Sequence, residues 1–171
     1  MAYQAQEDRI LLRVLSTDRA EFRFWMTRRY VKLLWTVFLK MLEMDPKTVV
    51  QAEPAVRRAV IDMQHSAAVE KGKDKLAKPF EEGAAVMPLG DAPILLSRVS
   101  GKRPPNQPGQ LSLHPEQGQG IDLGVDTNLL HMLSKLVVDA VAQSDWDIKL
   151  AIDPNGLATP QAQGVPPHKL N

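Results

Sequence analysis

The chain has 171 residues, of which 44% are hydrophobic and 24% charged, and its formal net charge is +1. This composition is typical of a folded protein and excludes a disordered polymer. The sequence contains no cysteine, which excludes disulfide bonds, a thiolate nucleophile and cysteine-ligated zinc or iron–sulfur sites.

The distribution of apolar and charged residues bounds the location and the partners of the protein. No apolar run approaches the roughly 20 residues that span a bilayer, and the N-terminal residues lack the apolar core of a signal peptide. We therefore expect a cytoplasmic protein with no membrane span. Residues 1–60 carry eleven Lys/Arg against seven Asp/Glu. This basic excess could attract phosphates or an acidic partner, although solubility alone also explains it.

The first predicted element is a β-strand within residues 9–17. Ile10, Leu12 and Val14 alternate with more polar positions, a period of two that is typical of a strand with one buried face.

Residues 19–44 are predicted to form one long helix. Their apolar side chains cover an arc of roughly 200° on a helical wheel, whereas a peripheral helix needs only about 100°. The helix is therefore either central to the fold or shared with another chain. Asp18 and Glu21 have the spacing of an N-cap and its capping-box partner, and the Asp45-Pro46 pair ends the helix.

A second helix follows, with Pro54 in its first turn. Apolar residues on one side of this helix are expected to face the core: Val56, Ala59, Val60, Met63 and Ala67. Residues 70–93 mix lysine, glycine and proline without a period, so we expect an irregular surface crossing there.

The period then changes to two, which predicts a meander of three short strands at residues 94–100, 109–114 and 120–125. Asp126 or Thr127 is expected to cap a third helix with a single apolar face. Residues 147–152 alternate again and are read as a last strand. From Pro154 onward the sequence has four prolines, two glycines and no period, which is typical of a flexible tail.

Together these elements predict an α+β fold in the order β-α-α-β-β-β-α-β. We expect an antiparallel sheet of about four to five strands with helices packed on one face and the long N-terminal helix at the centre. Residues 1–153 would form a single domain and residues 154–171 the tail.

No motif identifies a reaction, so no catalytic residue, metal or cofactor is predicted. His114 and Glu116 have the spacing of a zinc deaminase motif, but that metal also needs a downstream cysteine pair. Gly118, Gly120 and Gly124 lack the spacing of a dinucleotide fingerprint. His65 and His131 lie on the polar sides of their predicted helices and are interpreted as solvated.

The clearest functional signal is a basic and aromatic stripe on the polar side of the long helix. Tryptophan and arginine are enriched both in protein hot spots and on nucleic-acid-binding surfaces. A local cation–π contact or cover by the 70–93 crossing would explain the tryptophan equally. The candidate binding residues are Trp25, Arg28, Arg29 and Lys32, with Lys102 and Arg103 as a second basic point.

The leading hypothesis is a small, non-enzymatic interaction or adaptor protein. It would bind a protein partner, or itself as a homodimer, through the long N-terminal helix. The alternative is a nucleic-acid-binding protein that uses the stripe. A metal-dependent enzyme without a recognisable motif is the third hypothesis.

Overall fold

The computed structural model describes residues 1–80, 86–104 and 107–152 of the chain, and within them the fold is mixed α+β. The helices are α1 (Arg28–Glu43), α2 (Pro46–Val49), α3 (Pro54–Ala77) and α4 (Thr127–Ala142). The first sheet has the strand order β1 (Ala2–Gln4), β2 (Arg9–Leu15), β3 (Glu21–Met26) and β4 (Ile94–Leu95). The second sheet has the order β5 (Arg98–Lys102), β6 (Gly109–His114) and β7 (Ile121–Val125).

The strands form two sheets rather than the single sheet that we expected. The predicted strand at residues 94–100 is split where the chain passes from one sheet to the other. The backbone N–H of Leu96 donates to the carbonyl of Trp25 in the first sheet, and that of Ser97 donates to the carbonyl of His114 in the second. Because adjacent residues pair with different sheets, no continuous strand can form across them.

The prediction of one helix over residues 19–44 is wrong in its first part. Residues 21–26 form β3, which pairs antiparallel with β2 along its whole length, from Leu15↔Glu21 to Ile10↔Met26. This segment alternates apolar residues and contains phenylalanine and tryptophan, which favour a strand. Strand β2 lies close to it in the chain and pairs with it. Asp18 is therefore not a helix cap, and it accepts a hydrogen bond from Ser16 in the β2–β3 turn.

Helix α1 begins at Arg28, about two and a half turns after the predicted start at residue 19. Thr27 is the N-cap, since its hydroxyl accepts a hydrogen bond from the backbone N–H of Tyr30. The helix ends at Glu43, and Asp45 caps the short α2 that follows. Seven side chains of α1 are buried in the hydrophobic core: Tyr30, Val31, Leu34, Trp35, Phe38, Met41 and Leu42. Most of the apolar side chains of α1 are therefore buried by other parts of the same chain.

Helix α3 packs through the opposite side from the one predicted. The buried residues of this helix are Ile61, Ala68 and Gly72, whereas Val56 and Met63 of the predicted inward side are exposed. Small residues explain the choice, because they allow the axis of α3 to approach α4 closely. A Cβ atom on Gly72 would collide with the side chain of Met132 on α4.

Helix α3 is also longer than predicted. It runs to Ala77, so the first part of the expected 70–93 crossing is helical. Glutamate, lysine and alanine dominate this part of the sequence, and all three favour helix.

Residues 147–152 do not form the predicted last strand. Side chains from elsewhere hold this segment instead, because Arg28 donates to the carbonyl of Asp147 and the indole of Trp35 donates to the carbonyl of Ala151. The predicted tail at residues 154–171 lies outside the described residues. Within the described part of the chain, no helix combines the length and apolar character that crossing a bilayer requires.

Candidate interaction surface

The structure separates Trp25 from the basic residues of the predicted stripe. Trp25 lies on β3, not on a helix, and pairs across the sheet with Leu11 on one side and Leu95 on the other. Its side chain is half-buried. Arg28, Arg29 and Lys32 are exposed on the first turns of α1. The prediction of one basic and aromatic stripe on a single helix is therefore wrong, because Trp25 lies on β3 and the basic residues lie on α1.

The second predicted basic point lies at the far end of α1. The hydroxyl of Tyr30 donates to the carbonyl of Arg98, while a Cβ on Gly101 would touch Met41. Strand β5 therefore runs along α1, and Lys102 lies near the end of the helix, about 20 Å from its start at 1.5 Å per residue. The structure does not bring Lys102 or Arg103 to the exposed arginines.

Arg103 belongs to a buried polar cluster instead of a basic surface. Its side chain is 9% exposed, and its guanidinium Nη2 lies 2.8 Å from Asp45 Oδ2. The same oxygen accepts a hydrogen bond from Thr127 at 2.6 Å, and Asp45 Oδ1 accepts from Gln64 at 3.2 Å. Burial raises the pKa of Asp45, but these hydrogen bonds, together with the backbone N–H of Lys47 and the Arg103 charge, outweigh it and lower the pKa. Asp45 is therefore a paired, charged carboxylate inside the protein.

Two histidines face each other beside this cluster. The rings of His65 and His131 are 5.4 Å apart between centroids. His131 is fully buried, and neither of its ring nitrogens has a hydrogen-bond partner among the described residues. Burial, followed by the neighbouring His65, lowers the pKa of His131 to about 4. The prediction that His131 is solvated is wrong, because the packing of α3 on α4 encloses its ring.

The polar cluster borders a surface cavity of about 600 Å³, which reaches Lys47 and Met63. Among residues 1–80, 86–104 and 107–152, no three His, Asp or Glu side chains are placed to hold a metal ion together. Every oxygen of Asp45 already accepts hydrogen bonds. The arrangement therefore ties four segments of the chain together.

Five large apolar side chains stay exposed on consecutive elements of the same region. We call this set the α2–α3 surface, and it comprises Met44, Val49, Val50, Val56 and Met63. Val50 and Met63 are the most open of these, at 72% and 67% exposure. Thr48 on α2 donates a hydrogen bond to Gln64 on α3, so the two helices lie against each other.

The sequence predicts part of the α2–α3 surface, but in the wrong role. It predicts an apolar side of α3 that includes Val56 and Met63, and places that side against the core. Ala68 and Gly72 lie on the opposite side of this helix, and these small residues indicate that α3 packs through that side.

Comparison of the chain with models of protein families, with curated proteins and with solved structures found no match.

Proposed function

We propose that the protein is a non-enzymatic interaction module that binds a folded protein partner through the α2–α3 surface. One observation carries the proposal: five large apolar side chains stay exposed from the end of α1, through α2, into the first half of α3. Large exposed apolar patches are uncommon on monomeric proteins and often mark contact sites.

Helix α3 is anchored through Ile61, Ala68 and Gly72 on its other side, so large parts of these five side chains stay open to solvent within the described chain. Full burial of a valine or methionine side chain contributes about 1.5–3 kcal/mol, and methionine is enriched at interfaces because it adapts to irregular partners. The free energy available from this surface is therefore released only when a partner covers it.

The test compares two double variants of equal charge change. Val50→Glu with Met63→Glu places two carboxylates on the surface, and Lys71→Gln with Lys75→Gln changes the charge equally elsewhere on α3. We expect the first to lose a protein captured from nuclease-treated lysate and the second to retain it. Both should keep the melting temperature of the unchanged protein, because substitutions at exposed positions cost only about 0.5 kcal/mol.

Light scattering on the same proteins separates the partner from a second copy of the chain. A dimer that dissociates only in the Val50→Glu/Met63→Glu variant would identify the partner as the chain itself. Equal capture by both variants, or unfolding of the first, would contradict the proposal.

A second candidate function, nucleic-acid binding, is favoured by the start of α1. Arg28 and Arg29 occupy its first positions and the first turn contains no acidic residue, although the helix macrodipole disfavours positive charge there. Arg28 donates one hydrogen bond to the carbonyl of Asp147, but both arginines remain exposed and can contact phosphates. Oligonucleotide affinity should then fall by roughly one power of salt concentration for each phosphate contacted, and Arg28→Glu with Arg29→Glu should abolish it. Salt-independent or absent binding would eliminate this candidate.

A further inference from the structure

A cavity of about 940 Å³ lies between one strand of each sheet. Residues 12–17, in β2 and the turn after it, line one side, and residues 120–124, at β7, line another. Helix α4 contributes three leucines to the same cavity: Leu129, Leu133 and Leu136. Cavities that bind small molecules have volumes of about 300–1,000 Å³, so this cavity is large enough to receive one.

The lining of the cavity is mainly apolar and extends from the hydrophobic core to the surface. Leu12 and Ile121 are 5% and 8% exposed, whereas Leu129 is 36% exposed. Further lining side chains are half-buried and pack against the core: Val14, Phe22, Leu123 and Leu133. An apolar occupant would remove more of these side chains from water, which is favourable.

Leu129, Leu133 and Leu136 lie along one side of α4, because they are spaced by four and then three residues. They span about 10 Å along the helix axis, at 1.5 Å per residue. A linear occupant that lies along α4 therefore contacts all three leucines.

The charged groups on the β2 side of the cavity do not select a charged ligand. The guanidinium of Arg13 lies 2.7 Å from the carboxylate of Glu21 and stacks on the ring of Phe80. Burial, followed by the charge of Arg13, lowers the pKa of the Met1 amino group, which favours its uncharged form. Neither group therefore requires an anion in the cavity.

Asp122 is the acidic residue that lines the cavity. Hydrogen bonds from Ser112 and then His114 lower the pKa of Asp122, and the charges of His114 and Lys102 act in the same direction. Its carboxylate is thus a paired anion that does not require a cationic ligand. The apolar lining, and not charge, selects the occupant.

We propose that the cavity binds the aliphatic chain of a small lipid-like molecule, such as a fatty alcohol, with the chain lying along the leucines of α4. Such a chain has no polar group that the apolar lining would leave without a hydrogen bond. A peptide fits less well, because each of its residues brings a backbone N–H and C=O that need partners. This site is distinct from the α2–α3 surface, and neither proposal depends on the other.

Calorimetric titration with octanol, decanol and dodecanol tests the proposal. Burial of one methylene contributes about 0.8 kcal/mol, so we expect the affinity to rise about fourfold for each added methylene. The affinity should then rise about fifteenfold from each alcohol to the next. The bound alcohol should also raise the melting temperature, because it binds the folded protein and not the unfolded chain.

A matched pair of variants tests the location. Leu129→Glu places a carboxylate in the lining, while Leu33→Glu makes the same change at a leucine of α1 with a similar exposure of 43%. Leu129 is the third residue of α4 after the Asp126 cap, where glutamate is favourable, so α4 should stay folded. We expect Leu129→Glu to weaken decanol binding by about tenfold or more, because the carboxylate must lose its water, and Leu33→Glu to leave it unchanged.

Leu136→Trp tests the same site without a charge. The larger side chain occupies part of the cavity, so it should weaken dodecanol binding more than octanol binding. Equal losses for the two alcohols would contradict an occupant that extends along α4.

Further results would overturn the proposal. The alcohols could fail to bind, or they could bind Leu129→Glu and the unchanged protein equally. The protein could bind vesicles of phosphatidylcholine but not the dispersed alcohols, which would make a membrane surface the partner. Binding that required removal of residues 154–171 would make that segment the occupant, and a dimer that dodecanol dissociates would make it a second copy of the chain.

Discussion

Acidification from about pH 7.5 to about pH 4.5 should remove about 2–3 kcal/mol of stability through His131 alone. The imidazole is fully buried and its pKa in the folded protein is about 4, below the ordinary value of 6.5. The unfolded chain therefore binds the proton first as the pH falls. The contribution of His131 is complete above about pH 6.5, falls between there and about pH 4, and changes no further below that.

This loss is a large share of a typical unfolding free energy of about 5–15 kcal/mol. Urea denaturation at several pH values would measure it, with His131→Leu as the variant that cannot bind the proton. We expect the stability of the unchanged protein to fall more steeply than that of the variant, so that the difference between the two stabilities changes by about 2–3 kcal/mol at the acid end. His114→Leu, at a partly exposed histidine, should retain the steep dependence.

Carboxylates do not obscure the comparison in this range. The hydrogen bonds from Arg13 and then Arg23 lower the pKa of Glu21 from 4.5 to about 2. Its stabilising contribution is present above pH 4.5 and is lost as the pH falls toward 2, which is below the histidine window. Parallel curves for the unchanged protein and His131→Leu between pH 7.5 and 4.5 would refute the burial of a neutral imidazole.

Two further substitutions test the core and the first sheet. Phe38→Asp should unfold the protein, because it buries an unpaired carboxylate at a cost of several kcal/mol, and a native circular dichroism spectrum would contradict the central position of α1. Glu21→Gln should lower the unfolding free energy by about 2 kcal/mol at neutral pH, the order of hydrogen bonds to a charged group. That loss should disappear as the pH approaches 2, and a difference independent of pH would contradict the lowered pKa of Glu21.

Local patterns were sufficient for some elements and not for others. Strands β2, β6 and β7 and helix α4 lie where alternation, helical periodicity and the cap at Asp126 predicted them. The sequence predicts a helix over residues 21–26 because Asp18 and Glu21 have the spacing of an N-cap and its capping-box partner. These residues form a strand because their backbone pairs with β2. The pattern of residues 19–44 alone does not include β2 and cannot predict this pairing.

The candidate site was harder to predict for a related reason. The ion pair of Arg103 joins residues 58 positions apart, so nothing near Arg103 in the sequence indicates burial. His131 is enclosed by α3, and the sequence does not predict which side of α3 packs on α4. The stripe on α3 was detected, but an amphipathic pattern does not state which side of a helix meets the core when the other side is made of small residues.

The partners of Asp45 have a consequence for the order of folding. Gln64, Arg103 and Thr127 lie 19, 58 and 82 positions along the chain from it. Contacts of such long range form only after the intervening loops have closed, which costs entropy before the contacts contribute. The Asp45 cluster should thus be absent from the folding transition state, with a φ-value near zero. Its ionic contacts should therefore slow unfolding without speeding folding, which gives the native protein kinetic stability.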